Sequence, residues 1–443
     1  MNIKKIETNK RRELYFSESN ITPSKLTEKT EFKTIMVYPE KTYQKFLGFG
    51  GAITQSSTIS FLKLPDEARK NFVKDYFSSD GLNYSWVRLP IGSCDFSNKT
   101  YSYSSKKNLS DFSIAEDKDK ILPLLNEVLE ENKDVSVLSS PWSPPKFMKS
   151  NKMLILGGKL LPKYYELYAE YLCKYIQEYE KQGIKISYMT IQNETRATQL
   201  WESCIFTPEE EIDFIKNALY PAFEKAGIST KILIYDHNKE RLYSRTKKEI
   251  SELDGSRYIS GIAYHYYTGD HFEQLKMCSE DFPDKLFIHT EGCTGYSSFK
   301  VQDDLTNAEI YAHDIIGDLN NGSNAYIDWN ILLDNKGGPN HKLNFCDSPI
   351  MLNLLGTNYE KKLCYYYIGH FSKYIKPNAV RIAISKYTDS FEVTAFKNPD
   401  ESIVVVLFNK NDRNKEYNLV ISDNELIHDN LDRHAIVTYL ITK

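Results

Sequence analysis

The chain has 443 residues, 41% hydrophobic and 26% charged, with a formal net charge of −4. That is the make-up of a globular protein with a large core, and so small a charge of mixed sign gives no electrostatic case for nucleic acid as a partner. No stretch nears the roughly 18 uninterrupted apolar residues that span a bilayer, and Met1 to Glu13 is charged and lacks the apolar run of a secretory signal, so a cytoplasmic location is the expectation.

Residues 1–45 carry little helical pattern. Phe32 to Tyr38 alternates at its start and is followed by Pro39, which predicts one strand closed by that proline. From Phe46 the style changes. Phe46–Ile53 reads as a strand rich in glycine, with no Gly-Lys-Ser/Thr after it and hence no phosphate loop. Seven further apolar runs follow: Tyr84–Ile91, Val135–Ser140, Ile186–Gln192, Lys231–Asp236, Ile259–Tyr267, Lys285–Thr290 and Ser323–Leu333. A helical stretch follows each. The clearest runs from Pro208 to Ala226, with Thr207 as N-cap, Pro208 in the first turn and Gly227 beyond the end. Tyr164, Tyr168, Tyr171, Tyr175 and Tyr179 form one stripe of another helix and read as core. Eight βα units predict a (β/α)8 TIM barrel over residues 46–376, although periodicity alone leaves a doubly wound open sheet as the competing architecture. After Pro377 come five short strands: Val380–Ile384, Phe391–Phe396, Ile403–Phe408, Tyr417–Ile421 and Ala435–Ile441. Five are few for a closed sandwich, so residues 377–443 are expected to form an accessory β-sandwich that takes in the otherwise unpaired strand of residues 1–45.

A barrel collects the carboxyl ends of its strands on one rim. Here the rim would carry Arg88, Trp142, Asn193, Glu194, Asp236, His237, His265, Tyr267, Glu291, Asp328, Trp329 and Asn330. Two glutamates among an arginine, a tyrosine and indoles suit glycoside hydrolysis. One carboxylate faces the cationic anomeric carbon while one protonated acid serves the leaving oxygen. Arg88 and Tyr267 are placed to hold one glutamate charged while burial and repulsion raise the other. A metal hydrolase is the competing reading, because His237, His265, His289 and Glu291 lie on or near the rim. Gly48 to Thr54 lacks the paired histidines such a site uses, and the seven scattered cysteines contain no C-x-x-C pair. No metal or other cofactor is expected.

Several segments resemble the glucosylceramidase-like group of glycoside hydrolase family 30. They are Phe49-Gly50-Gly51-Ala52, Arg88 to Ser97, Ser140-Pro141-Trp142-Ser143-Pro144-Pro145, Asn193-Glu194, Phe206-Thr207-Pro208-Glu209, Asp328-Trp329-Asn330, Gly337 to Asn340 and Gly369 to Lys373. Their joint order from about residue 46 to 408 is specific where each alone is weak. The resemblance implies a retaining β-glycosidase, a glucosylceramidase-type β-glucosidase, with Glu194 as acid/base and Glu291 as nucleophile. It implies a substrate-binding set of Asp95, Trp142, Asn193, His265, Tyr267, Trp329 and Asn344, with Arg88 in support. The expected partner is a small glycoside, an oligosaccharide or a glycolipid. β-Xylosidase, β-fucosidase and β-1,6-glucosidase activities are the alternatives within the family, and a non-catalytic carbohydrate-binding protein is the alternative outside it. Thr195 and Gln55 depart from the family pattern, which has Pro and an acidic residue there, and Thr195 is expected to loosen the loop after Glu194. His289-Thr290 and Tyr266 depart as well.

Overall fold

A computed structural model of the chain describes residues 2–25, 32–253, 258–295, 303–421 and 425–442. The chain opens with strands β1 (Asn2–Asn9), β2 (Leu14–Ile21), β3 (Ser24–Lys25) and β4 (Thr34–Lys45). Eight strands then alternate with helices: β5 (Gly48–Ala52), β6 (Trp86–Ile91), β7 (Ser136–Pro141), β8 (Ile186–Thr190), β9 (Lys231–Asn238), β10 (Ile259–His265), β11 (Leu286–Glu291) and β12 (Ala325–Asn330). These eight pair in parallel and close into a barrel. A short hairpin, β13 (Ile350–Leu352) and β14 (Tyr359–Lys361), precedes the last barrel helix. Strands β15 (Val380–Lys386), β16 (Glu392–Lys397), β17 (Ile403–Asn409), β18 (Lys415–Ile421), β19 (Glu425–Leu431) and β20 (Ala435–Thr442) end the chain.

Each expected barrel run overlaps a strand, three of which run one or two residues past the expected end, and the open-sheet alternative is excluded by closure of β12 on β5. Inside the barrel, Trp86, Leu138, Leu233, Ala263, Ile288, Ala325 and Ile327 pack as one apolar plug. Gly50 is needed where β5 meets β6, because a Cβ there would sit 2.2 Å from the Trp86 carbonyl oxygen. Four of the five stripe tyrosines are core: Tyr168, Tyr171, Tyr175 and Tyr179 are buried on the helix Tyr165–Glu180, while Tyr164 sits half-buried in the turn before it. The helix expected from Pro208 to Ala226 is continuous but contains a π turn at Ile215–Leu219. Pro221 lies just beyond it, and its missing N–H and bulky ring disfavour a regular α turn at that point.

The accessory domain is one ten-stranded sheet in the order β2-β1-β20-β17-β16-β15-β4-β18-β19-β3. It folds over on itself, bringing Lys5 of β1 to 2.7 Å from Asp429 of β19 and the Tyr417 hydroxyl of β18 onto that of Tyr439 of β20. Ile3, Ile35, Val37, Val405, Leu419 and Tyr439 lie in the core between the layers. Both chain ends therefore build this domain, with more strands than the sequence pattern revealed. β1 was missed because Ile3 and Ile6 do not share parity: Ile3 enters the sandwich core, whereas Ile6 enters the core shared with the barrel. β19 was also missed. The strand near Ile35 does not stop at Pro39. The register between β4 and β15 slips from Tyr38↔Ala383 to Thr42↔Ile382, and a proline sits comfortably in such a bulge because it needs no ladder partner.

Candidate active site

Above the apolar plug the barrel interior turns polar, and Arg88 of β6 is its centre. The side chain is wholly buried. Its guanidinium donates to Ser140 Oγ (3.2 Å), Glu291 Oε2 (2.5 Å), Asn193 Oδ1 (2.7 Å) and Asp236 Oδ2 (2.9 Å). One planar fork thus reaches the ends of β7, β8, β9 and β11, which a lysine ammonium could not do. Asp236 also accepts from Thr190 (2.7 Å) and Thr290 (2.6 Å) and lies 3.0 Å from His265 Nε2. Burial alone would raise its pKa, but Arg88 and His265 hold the carboxyl well below its ordinary range.

Over this layer lies a cavity of about 240 Å3. Asp95, Trp142, Asn193, Glu194, Tyr267, Glu291, Trp329 and Asn344 of the expected set all line it. Trp142 and Trp329 stack with centroids 5.5 Å apart, and the Arg88 guanidinium lies 4.9 Å from the Trp142 ring. Tyr267 donates to Glu291 Oε1 over 3.0 Å, so both oxygens of Glu291 accept a hydrogen bond, one from a guanidinium. Asn344 donates to Asp95 Oδ2 over 2.8 Å. Burial first, then repulsion from Glu291, raises the Asp95 pKa well above the usual carboxyl range.

Glu194 has a different environment. Burial first and repulsion from Glu291 second raise its pKa, opposed by His265 and by the Gln199 amide. Gln199 Nε2 donates to its Oε2 over 3.3 Å, and His265 Nδ1 lies 4.0 Å from its Oε1. The two cavity glutamates are therefore dissimilar. One accepts strong hydrogen bonds at both oxygens, while the other is raised toward its neutral form; unequal environments of this kind separate an acid from a nucleophile.

Of the expected substrate-binding set, His265 does not line the cavity: it is fully buried, 3.0 Å from Asp236 and 4.0 Å from Glu194, where it supports the carboxylates. Thr195 also departs from expectation. Its hydroxyl donates to the Tyr235 carbonyl (3.1 Å), and its own carbonyl accepts from Phe206 N (2.9 Å), so this threonine tethers the loop instead of loosening it. Gln55 bonds the Tyr101 hydroxyl (3.0 Å), which donates in turn to buried Asp117. A neutral amide there avoids placing a second acid near a carboxyl whose pKa burial already raises to about 6.

Gln199, Trp201 and Asn238 line the cavity and had no assigned role in the sequence. Asp236 was visible at a strand end, but its central place beneath Arg88 was not. Gln199 and Trp201 lie in the irregular stretch after Glu194, where no periodicity marks a side chain's direction. As for cations, among the described residues His289, Asp314 and Asp318 come close enough to one another to hold an ion. The Lys239 ammonium lies 2.8 Å from one oxygen of each aspartate, and His289 Nδ1 faces the other two, 2.8 Å from Asp318 and 3.4 Å from Asp314.

Residues 46–375 match the model of the glycosyl hydrolase family 30 TIM-barrel domain, and 378–439 that of the family's beta sandwich domain. The chain belongs to glycosyl hydrolase family 30. It is 32% identical to the lysosomal acid glucosylceramidase of Mus musculus over 414 residues, covering 88% of this chain and 80% of that one. Its fold matches SrfJ from Salmonella typhimurium with a TM-score of 0.96 at 32% identity, over 100% of both chains. The endo-beta1,6-glucanase BT3312 follows with a TM-score of 0.90 at 31% identity, again over 100% of both. Family 30 membership makes this protein a glycoside hydrolase, and the relatives place it among β-glycosidases. The paired glutamates lie at the carboxyl ends of β8 and β11, on the barrel face where enzymes of this fold act.

Proposed function

We propose that this family 30 enzyme is a retaining, exo-acting β-glycosidase of glucosylceramidase type, removing a terminal β-linked glucose by double displacement. Glu291 attacks the anomeric carbon, and Glu194 protonates the leaving oxygen, then activates water for the second step. The observation that carries this reading is the unequal treatment of the two acids. Arg88 and Tyr267 bond both oxygens of Glu291, while burial and Glu291 itself raise Glu194. Asp95, Asn193, Asn344 and the stacked indoles would hold the sugar ring. A cavity near 240 Å3 is smaller than the roughly 300–1,000 Å3 of drug-sized sites and favours one sugar ring over several.

An apolar aglycone is supported by two exposed leucines beside cavity residues in the chain. Leu200 (73% exposed) and Leu343 (75% exposed) neighbour the lining residues Gln199, Trp201 and Asn344 in the chain. A second reading, cleavage of β-1,6-linked glucose, is favoured by the likeness to the endo-beta1,6-glucanase BT3312. A panel of aryl β-glucosides, β-xylosides and β-fucosides tests the glycone. Detergent-dispersed glucosylceramide against β-1,6-linked gluco-oligosaccharides then tests the aglycone. Turnover of glucosylceramide but not of the oligosaccharides is expected. The reverse result selects the second reading, and no turnover on the whole panel points to a non-catalytic carbohydrate-binding protein.

A further inference from the structure

Lys149 is 1% exposed and belongs to no strand or helix of the barrel. Its ammonium donates to Ser143 Oγ (2.9 Å), the Leu154 carbonyl (3.3 Å) and the Ser203 carbonyl (2.5 Å). Three N–H donors thus meet three acceptors, all of them neutral. Burying a charge among neutral oxygens is costly unless every donor is used. Burial accordingly lowers the Lys149 pKa to about 8, with Cys204 and Glu202 as the nearby groups that oppose the shift.

The acceptors come from both walls of the cavity. Ser143 directly follows Trp142 of the sugar platform. Ser203 closes the loop that carries Gln199 and Trp201, and its own Oγ accepts from Gln199 N (3.1 Å) and Gly157 N (3.0 Å). Gln199 is held again through its carbonyl, which accepts from Leu156 N at 2.9 Å, and its side chain then reaches Glu194 Oε2. An unbroken line of contacts therefore runs from Lys149 through Ser203 and Gln199 to Glu194.

We propose that Lys149 is a positioning residue for the acid step: by clamping the Ser203 turn against the Trp142 wall, it sets Gln199 and through it the Glu194 carboxyl. This rests on the reading of Glu194 as acid/base. If the clamp merely held the fold, its loss would lower every rate alike. If it positions the acid, the loss depends on how much protonation the leaving group needs.

The test uses Lys149→Met and Glu194→Ala, each compared by kcat/KM, which reads only the first step, on phenyl and 2,4-dinitrophenyl β-glycosides of the sugar the native enzyme cleaves fastest. Glu194→Ala sets the scale: a loss much larger on the phenyl substrate upholds the acid reading, and equal losses sink that reading on its own. Given that scale, Lys149→Met is expected to lose about 10²-fold on the phenyl glycoside, as for a misplaced catalytic group, and only a few-fold on the dinitrophenyl one. Equal losses on both, or none, overturn the proposal. Should Lys149→Met fail to fold, Lys149→Arg keeps the charge but not the compact three-donor geometry, and the same two outcomes decide.

Discussion

The backbone N–H of Glu194 donates to the Asp236 carbonyl over 2.7 Å, and both residues hold left-handed backbone, with φ of 52° and 51°. Non-glycine residues in that region are strained by roughly 1–3 kcal/mol each. The ends of β8 and β9 are thus locked together in a conformation neither would adopt alone. The lock sends Glu194 into the cavity and leaves Asp236 beneath Arg88.

The division of labour between the glutamates has a direct check. Glu291→Gln should abolish turnover of every substrate, because no glycosyl-enzyme forms. Glu194→Gln should cost about 10²–10⁴-fold with poor leaving groups, far less with activated ones, and azide should rescue its second step. The raised pKa of Glu194 places a basic limb on kcat/KM above the ordinary carboxyl range, and that limb should vanish in the variant. An early NMR spectrum should show β product. An α product, or a Glu291 variant that still turns over, refutes these roles.

Arg88 is the buried counterion of Asp236 and Glu291. Arg88→Met leaves two carboxylates without it and should lower stability by about 3–5 kcal/mol in urea unfolding. Arg88→Lys keeps the charge but not the fork, so it should retain more stability than the methionine variant while still losing kcat. Equal stability of the two variants would show that charge contributes little here.

The two chain ends should fail together. Removing residues 1–21 strips β1 from β20 and exposes that strand's edge along Ala435–Thr442, an invitation to aggregation. The expected result is a lower melting temperature with rapid proteolysis of the carboxyl-terminal strands. A truncated protein whose accessory domain stays protease-resistant contradicts it.

His313 ties the helix Asp304–Asn320 to the accessory domain and to the loop after β10. Its Nδ1 lies 2.9 Å from Glu392 and its Nε2 3.0 Å from Asp270. Glu392 first, and then Asp270 against the opposing effect of burial, raises its pKa from 6.5 to about 9. A raised histidine stabilises fully below its unfolded pKa of 6.5, and the contribution disappears as pH rises through about 9. His313→Gln should therefore melt below the native protein near pH 6, and the gap should narrow toward pH 10. A gap constant with pH would mean that the contacts act without the charge.

Much of this protein was legible in one dimension. Eight apolar runs, each followed by a helical stretch, determined a parallel sheet with helices packed on it, because parallel strands need such crossovers, while closure of β12 on β5 made that sheet a barrel. Glu194 and Glu291 stood out because each ends such a run, and strand ends share a rim whatever their separation in sequence. Only the tertiary structure decided the rest. β1 showed no period-two pattern because its two faces enter different cores, and β4 passed Pro39 because a bulge needs no donor there. Arg88 was visible at a strand end, but its four simultaneous acceptors were not, since they come from β7, β9, β11 and the segment after β8. Lys149, Gln199 and Trp201 carried no sequence signal because irregular loops have no period. Their directions follow from hydrogen bonds that exist only once the cavity walls have met.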